Sequence, residues 1–320
     1  MEGVFVCGEG TALILSIEGK RGMPQAKVYR TNERGLYDKP NVLNNVETII
    51  NTPSVLLKGS DWFKSIKTED SPGTKVFCLV GKVQNAGLVE VPMGMMTIDE
   101  IVNGIGGGAA DGHTIKAVQT VGSSGVCIPT DLFNTPVDFN SLKNIRTIMG
   151  SGGLVVMDES DCIVDIDKFF MKFTMDESCG KCTPCRVGNM RVLELLEKIT
   201  TGQGTTEDLK RLEKLCYIIT ESSLCGLGKT ATTPVKSSMH YFESEYLDHV
   251  QEPKCVASVC RELLNYIVTD RCVGCGVCIK KCLVEAISGE RRKTHNIDVE
   301  NCIKCNACLE ACPVSAIEIK

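Results

Sequence analysis

Nineteen cysteines among 320 residues, gathered mostly into Cys-x-x-Cys groups, point first to metal–thiolate chemistry. Residues 268–320 hold an internal repeat: Cys272, Cys275, Cys278 and Cys282 recur as Cys302, Cys305, Cys308 and Cys312. This run, Cys-x2-Cys-x2-Cys-x3-Cys, binds cubane iron–sulfur clusters when it occurs twice, and the fourth cysteine of each copy serves the other cluster. Two-residue gaps let a tight loop wrap three corners of a cube. The fourth ligand then crosses over and ties the two halves together. One [4Fe–4S] cluster is therefore expected on Cys272, Cys275, Cys278 and Cys312, and a second on Cys302, Cys305, Cys308 and Cys282. Pro313 follows Cys312, whereas Leu283 stands at the matching place in the first copy. A zinc ribbon needs only paired Cys-x2-Cys, so the third cysteine of each run argues against zinc.

A second group, Ser178-Cys179-Gly180-Lys181-Cys182-Thr183-Pro184-Cys185-Arg186, again spaces three thiols by two residues. The same wrapping argument expects a third [4Fe–4S] cluster on Cys179, Cys182 and Cys185. Its fourth corner must come from elsewhere. Cys225 follows the second of two helical segments, and a helical hairpin would return it beside the first three. Cys216 is the rival fourth ligand, but it sits in a helical stripe and reads as core. Zinc is the alternative occupant. Seven cysteines remain: Cys7, Cys78, Cys127, Cys162, Cys216, Cys255 and Cys260. Most read as small buried hydrophobes. His249, Cys255 and Cys260, with Cys162 as a long-range fourth ligand, compose a candidate Cys3His zinc site. Two incidental thiols in a linker is the bland alternative. A disulfide scaffold would suit a short secreted chain better than this long one. The opening, Met1-Glu2-Gly3-Val4, has neither the basic nor the long apolar region of a signal peptide. A reducing cytoplasm follows, since thiolates must survive to bind iron.

The elements that must position these groups follow from patterning. Val4-Phe5-Val6-Cys7 reads as a buried strand, followed by a Gly8-Glu9-Gly10 loop and a helix from Thr11. A unit that starts at its own interior strand suggests that its N-terminal part is missing or lies on another chain. Asp70-Ser71-Pro72-Gly73 reads as a linker. Strand-type runs follow at Lys75–Val80, Gly87–Val91 and Ala117–Val121, with a helix at Thr97–Asn103, in a small α+β module ending near Gly150. Residues 165–250 read as helices. Val187–Ile199 places Met190, Leu193, Leu196 and Ile199 on one face, and Glu207–Thr220 places Leu209, Leu212, Leu215 and Ile219 likewise. Thr205 or Thr206 caps the second helix, and Pro234 opens a third. Net charge is −5 with no basic block, so nucleic acid is an unsuitable partner. No apolar run approaches the roughly 20 residues that span a bilayer, so direct membrane insertion is not expected.

Several of these segments together resemble a known family. Cys7-Gly8-Glu9, Glu18-Gly19-Lys20-Arg21-Gly22, Asn44-Asn45-Val46-Glu47-Thr48, Glu177 through Arg186, and Cys225 look like the flavin-bearing, NADH-oxidising subunit of respiratory complex I. The resemblance covers roughly residues 3–250. The appended repeat is similar instead to the NAD(P)-linked subunit of multimeric [FeFe]-hydrogenases and some formate dehydrogenases. The resemblance implies an α+β multidomain chain. Its parts are a partial α/β flavin-domain remnant at 1–70, a β-grasp-like soluble-ligand-binding module at 74–150, and a four-helix bundle holding a [4Fe–4S] cluster at 151–250. A linker at 251–266 and a ferredoxin-like two-[4Fe–4S] domain at 267–320 complete it.

The family's chemistry is hydride transfer from NAD(P)H to FMN, followed by single-electron release to the nearby cluster. The resemblance puts Gly8, Glu9, Leu43, Asn44, Asn45 and Thr48 around FMN, and Leu227 and Gly228 close to its isoalloxazine. It implies other subunits of a hydrogenase, formate dehydrogenase or complex I-like assembly as partners, a thioredoxin-like [2Fe–2S] subunit among them. The sequence departs from the family at Gly10, where a second glutamate is usual, and at Val28–Thr31, where a proline–phenylalanine stretch is usual. The family's glycine-rich flavin loop has no counterpart in the sequence. The alternative reading is therefore an electron relay with three clusters, no flavin and no substrate site of its own.

Overall fold

The computed structural model describes residues 5–68 and 71–319. Residues 5–66 carry two long helices, α1 (Gly10–Ile17) and α2 (Val46–Lys58), joined by irregular backbone. The expected opening strand is a 3-10 turn at Val6–Gly8, and Val4 lies outside the described residues. No strand occurs among described residues 5–66, and the short strand Lys67–Thr68 pairs only with Ser71–Pro72. A strand needs a ladder partner, and residues 5–66 supply none. Phe5 instead stacks edge-on against Phe173, with ring centroids 5.4 Å apart.

The expected linker at 70–73 is not free chain. Asp70 lies outside the described residues, but Ser71 is fully buried and Ser71–Pro72 pairs with Lys67–Thr68. Beyond it, β1 (Thr74–Gly81), β2 (Gly87–Pro92), β3 (Ile115–Thr120), β4 (Cys127–Pro129) and β5 (Gly153–Asp158) form one mixed sheet in the order β2-β1-β5-β3-β4. β1 and β5 are parallel; the other pairs are antiparallel. β5 falls in the stretch 151–250 that the resemblance assigned to the helical bundle, yet it is the sheet's middle strand. Its Leu154, Val156 and Met157 are buried, as a central strand requires. At Gly81 (φ +95°) a Cβ would stand 2.3 Å from the Val156 carbonyl, so only glycine lets β1 approach β5 there. Phe77, Leu79, Val91, Ile101, Val118 and Ile128 fill the core beneath the sheet.

Five helices follow: α3 (Ile163–Asp176), α4 (Asn189–Thr200), α5 (Thr206–Ser222), α6 (Gly226–Thr230) and α7 (Thr233–Tyr241), with α8 (Glu243–Gln251) closing the group. Thr205 caps α5 in a reciprocal box with Asp208, as its spacing suggested. On α4 the buried stripe is Val192, Leu193, Leu196 and Ile199, and Met190 is partly exposed rather than part of it. Cys216 is fully buried in this core beside Leu212, Ile219 and Val235, as expected. Asp167 is buried among α3, α7 and α8, where Tyr246 (2.6 Å) and Ser238 both donate to Oδ2. The 251–266 segment is likewise no free linker, since Cys255, Cys260 and Leu263 pack into the same core.

In the C-terminal domain β6 (Tyr266–Val268) pairs with β9 (Ile317–Ile319), and β7 (Ile287–Ser288) with β8 (Asn296–Ile297). Helices α9 (Val277–Lys281) and α10 (Ala307–Glu310) each start just inside a cysteine run. No helix among the described residues is long and apolar enough to cross a membrane.

Candidate metal centres

The internal repeat is written into the backbone. Gly274 and Gly276 have φ of +64° and +77°, and Lys304 and Asn306, at matching positions, have φ of +53° and +64°. Left-handed residues here curl each loop around its cysteines. Glu285 and Ser315 repeat the same geometry beyond the fourth cysteines. The Ala286 and Ala316 N–H groups each donate to the sulfur four residues earlier, Cys282 and Cys312, at 3.2 Å. Such bonds favour thiolate.

The loops enclose two separate cavities. Cys272, Cys275, Cys278 and Cys312 line one, walled by Val268, Val273, Val314 and Ile317. Cys282, Cys302, Cys305 and Cys308 line the other, walled by Tyr266, Ile287 and Ile297. Cys312 thus faces the first run and Cys282 the second. Four sulfurs converging in an apolar shell fit a cubane, which offers iron to thiolates and asks for little else.

Around the Cys179 loop, Cys185 is buried at the first helical turn before α4, and Cys179, Cys182 and Cys225 are half-buried. Burial pushes the Cys185 thiol up. A hydrogen bond from Ser178 lowers it, and the charges of Cys182, Cys225 and Cys179 close by raise it further. Ser178 Oγ lies 3.3 Å from Cys185 Sγ, and Asn189 Nδ2 donates to the same sulfur at 3.4 Å. Cys225 stands at the N-terminus of α6, and α6 comes in close because Gly228 has no side chain. A Cβ there would lie 3.2 Å from Cys185 Cβ and 2.7 Å from Ser223. Asn189 Oδ1 and Ser223 Oγ are buried with no hydrogen-bond partner among the described residues.

A third arrangement joins residues far apart in sequence. The ligand atoms of Cys162, His249, Cys255 and Cys260 all lie within 4.8 Å of one another, and all four residues are buried. Cys162 Sγ is 3.7 Å from Cys260 Sγ and 3.5 Å from His249 Nε2, which is 3.3 Å from Cys260 Sγ. A tetrahedral ion with zinc–ligand lengths of about 2.0–2.3 Å has edges of about 3.5–3.8 Å. His249 Nδ1 lies 2.7 Å from the Glu245 carbonyl, which leaves Nε2 to face the thiols. Burial works to lower the His249 pKa, but hydrogen bonds with Cys162 and Cys255 raise it to about 10. The neighbouring thiols split: bonds from Cys162 and Cys260 hold Cys255 well below the thiol range, while those from Cys162 and Cys255 push Cys260 above it. All 19 cysteines are free thiols, with no disulfide among them.

The residues assigned to FMN by resemblance are spread over several elements. Glu9 caps α1, accepting from the Thr11 and Ala12 N–H groups, and lies 3.6 Å from Lys27 Nζ. Gly8 closes the preceding turn. Leu43 packs close to Gly10. Asn44 precedes the cap of α2, where Asn45 accepts from the Glu47 N–H. Asn45 and Thr48 line a cleft between α2 and the sheet, across which Glu47 pairs with the buried Lys75. Leu227 and Gly228 are buried on α6, Gly228 beside Cys185. Lys181 donates to the Pro24 carbonyl at 2.7 Å, and the Phe5 N–H donates to Glu177 at 3.1 Å. These two bonds fasten the N-terminal stretch onto the Cys179 loop.

Three contributors went unread in the sequence. Ser178 and Asn189 flank the Cys185 sulfur, and Asn189 follows Cys185 by one helical turn, a spacing that could have marked it. His295 is buried against Cys278, with no local pattern to reveal it.

Comparison with known proteins adds to this geometry. Residues 165–249 match the family model of the NADH-ubiquinone oxidoreductase-F iron-sulfur binding region, and residues 265–319 match a 4Fe-4S dicluster domain. The chain is 51% identical over 294 residues to the NADP-reducing hydrogenase subunit HndC of Solidesulfovibrio fructosivorans, covering 92% of this chain and 60% of that protein. It is 40% identical over 253 residues to an F-type subunit of the NADH-quinone oxidoreductase of Rhizobium meliloti, covering 79% of this chain and 60% of that protein. A crystal structure of NAD+-reducing [NiFe]-hydrogenase in the H2-reduced state superposes with a TM-score of 0.70 at 34% identity, over 77% of this chain and 41% of that one. The chain thus spans about 60% of the length of these curated relatives.

Proposed function

We propose that this chain, a homologue of the F-type component of NADH-quinone oxidoreductases and of the NADP-reducing hydrogenase subunit HndC, is an iron–sulfur electron-transfer subunit of an NAD(P)H-dependent oxidoreductase complex. The observation that carries this is the convergence of twelve cysteines as three sets of four: two sets each share a cavity, and the third surrounds Cys185. Each set would hold a [4Fe–4S] cluster, which when bound takes up and passes on one electron. The protein's part is to hold the thiolates, exclude water with apolar walls, and aim N–H and O–H donors at the sulfurs. Cys162, His249, Cys255 and Cys260 would hold a structural zinc ion that pins the chain leaving the bundle to the start of α3.

The finer architecture belongs to the same reading. The strand order β2-β1-β5-β3-β4, with β1 and β5 parallel, supports a β-grasp-like module. The helices from α3 to α8 support a four-helix bundle around the Cys179, Cys182, Cys185 and Cys225 cluster. Residues 1–70 would be part of a flavin domain, with Gly8, Glu9, Leu43, Asn44, Asn45, Thr48, Leu227 and Gly228 toward FMN. FMN, when bound, would accept a hydride from NAD(P)H. Partners would be the other subunits of a cytoplasmic hydrogenase, formate dehydrogenase or complex I-like assembly, including a thioredoxin-like [2Fe–2S] subunit. A flavin-free relay is favoured by one observation: the Glu9 carboxylate is already committed to capping α1 and to Lys27.

The test is anaerobic reconstitution followed by iron and flavin analysis and NADH-driven dye reduction. About twelve irons per chain, three cubes of four, are expected. A colourless, iron-free product refutes the subunit assignment. NADH-driven reduction that requires bound FMN selects the flavin reading; iron-replete protein that never binds FMN selects the relay.

A further inference from the structure

The two C-terminal cavities share a backbone but not their side-chain walls. In both, an alanine N–H bonds the crossing cysteine at 3.2 Å, and left-handed residues sit at matching positions of each loop. The cavity of Cys272, Cys275, Cys278 and Cys312 has His295 in its wall. His295 Nδ1 lies 3.3 Å from Cys278 Sγ. The residue is 4% exposed, and its Nε2 is buried with no partner among the described residues. Gly289 makes the room: a Cβ there would stand 2.2 Å from His295 Cδ2. The other cavity has Tyr266 instead, whose hydroxyl donates to Asn306 Oδ1, and there the Lys304 backbone N–H donates to Cys302 Sγ at 3.4 Å.

A cluster ligand is a thiolate, which can only accept, so the imidazole must carry its proton on Nδ1. We propose that His295 is a positioning residue whose Nδ1–H bond to Cys278 Sγ raises the reduction potential of the Cys272/Cys275/Cys278/Cys312 cluster. Reduction adds an electron, and the charge spreads onto the ligand sulfurs. A donor aimed at one of them binds the reduced state more strongly than the oxidised one. The buried, low-dielectric setting strengthens that difference.

This inference rests on the iron–sulfur reading of both cavities, and the two fail differently: missing iron refutes that reading, whereas full iron with an unmoved potential refutes only the role of His295. The experiment is a reductive titration of the reconstituted full chain at one pH, followed by EPR. His295→Phe keeps a flat ring without the donor. It is expected to retain all the iron and to shift the reduction equilibrium of one C-terminal cluster about tenfold toward the oxidised form, or about 59 mV for one electron. The other two clusters should not move. His295→Asn keeps an N–H near the Nδ1 position and should recover most of the loss. Unmoved midpoints in the Phe variant, or equal shifts in the Phe and Asn variants, overturn the proposal. If the Phe variant loses iron, pulsed EPR of reduced wild-type chain carrying isotope-labelled histidine decides. A histidine-nitrogen coupling that disappears in His295→Asn supports the bond, and its absence from the wild type overturns it.

Discussion

Cys312→Ala tests whether the two C-terminal clusters exchange ligands. Cys312 belongs by sequence to the second run but lines the cavity of the first, beside Cys272, Cys275 and Cys278. Cys282 does the reverse beside Cys302, Cys305 and Cys308. The domain should hold about eight irons in two cubes. Losing one thiolate should either empty one cube, leaving about four irons, or leave a three-iron cluster in its place. A single variant cannot tell which cube was hit, so the decisive measurement is a pair of double variants. Sites within one cluster should be non-additive, and sites in different clusters additive. Cys312→Ala with Cys275→Ala removes two corners of one cavity, so one intact four-iron signal should survive. Cys312→Ala with Cys305→Ala damages both cavities, so none should. Iron per chain and low-temperature EPR of the reduced protein give the count, with the Cys185 cluster as an internal reference. The reverse pattern, an intact signal surviving only in the Cys312/Cys305 pair, would falsify the crossed geometry.

Other outcomes follow from the remaining sites. His249→Ala or Cys260→Ser should abolish about one bound zinc per chain while the iron stays, read by elemental analysis; wild-type chain with full iron and no zinc refutes that site. Gly228→Ala should cost about 1–3 kcal/mol by overpacking, because its Cβ would stand 2.7 Å from Ser223 and 3.2 Å from Cys185. Iron should be lost selectively from the bundle, and unchanged occupancy there would count against the close approach. Burial pushes the Asp167 carboxyl from 3.8 up to about 7, against hydrogen bonds from Ser238 and Tyr246 that lower it. The folded state therefore holds this proton more tightly than the unfolded one, so stability falls as pH rises from about 4 to 7, by at most about 4 kcal/mol. Asp167→Asn should remove that decline, seen in hydrogen-exchange protection of α3 and α7; identical pH profiles in both proteins would show that Asp167 is not its source.

Cysteine spacing by itself picked out the cysteines that line the two C-terminal cavities, because a tight loop is a local structure and its two-residue period survives in any context. The Thr205 cap, the Pro234 helix start and the core role of Cys216 were legible for the same reason, since helix periodicity and capping act over a few residues. The candidate zinc set was also legible as a list of donors. Only the fold decided that Cys162, at the start of α3, comes within 3.7 Å of Cys260, nearly a hundred residues later. Tertiary structure alone placed Gly153–Asp158 in the centre of the sheet, because a short apolar run pairs as a strand only where two neighbours offer ladder partners. It also turned the expected opening strand into a 3-10 turn clasped by Glu177 and Phe173, and drew the expected linkers into packed core. His295 shows the limit most plainly. Nothing in its neighbourhood marks it, because a hydrogen bond to a sulfur seventeen residues away exists only once β8 and the first cysteine loop have folded together.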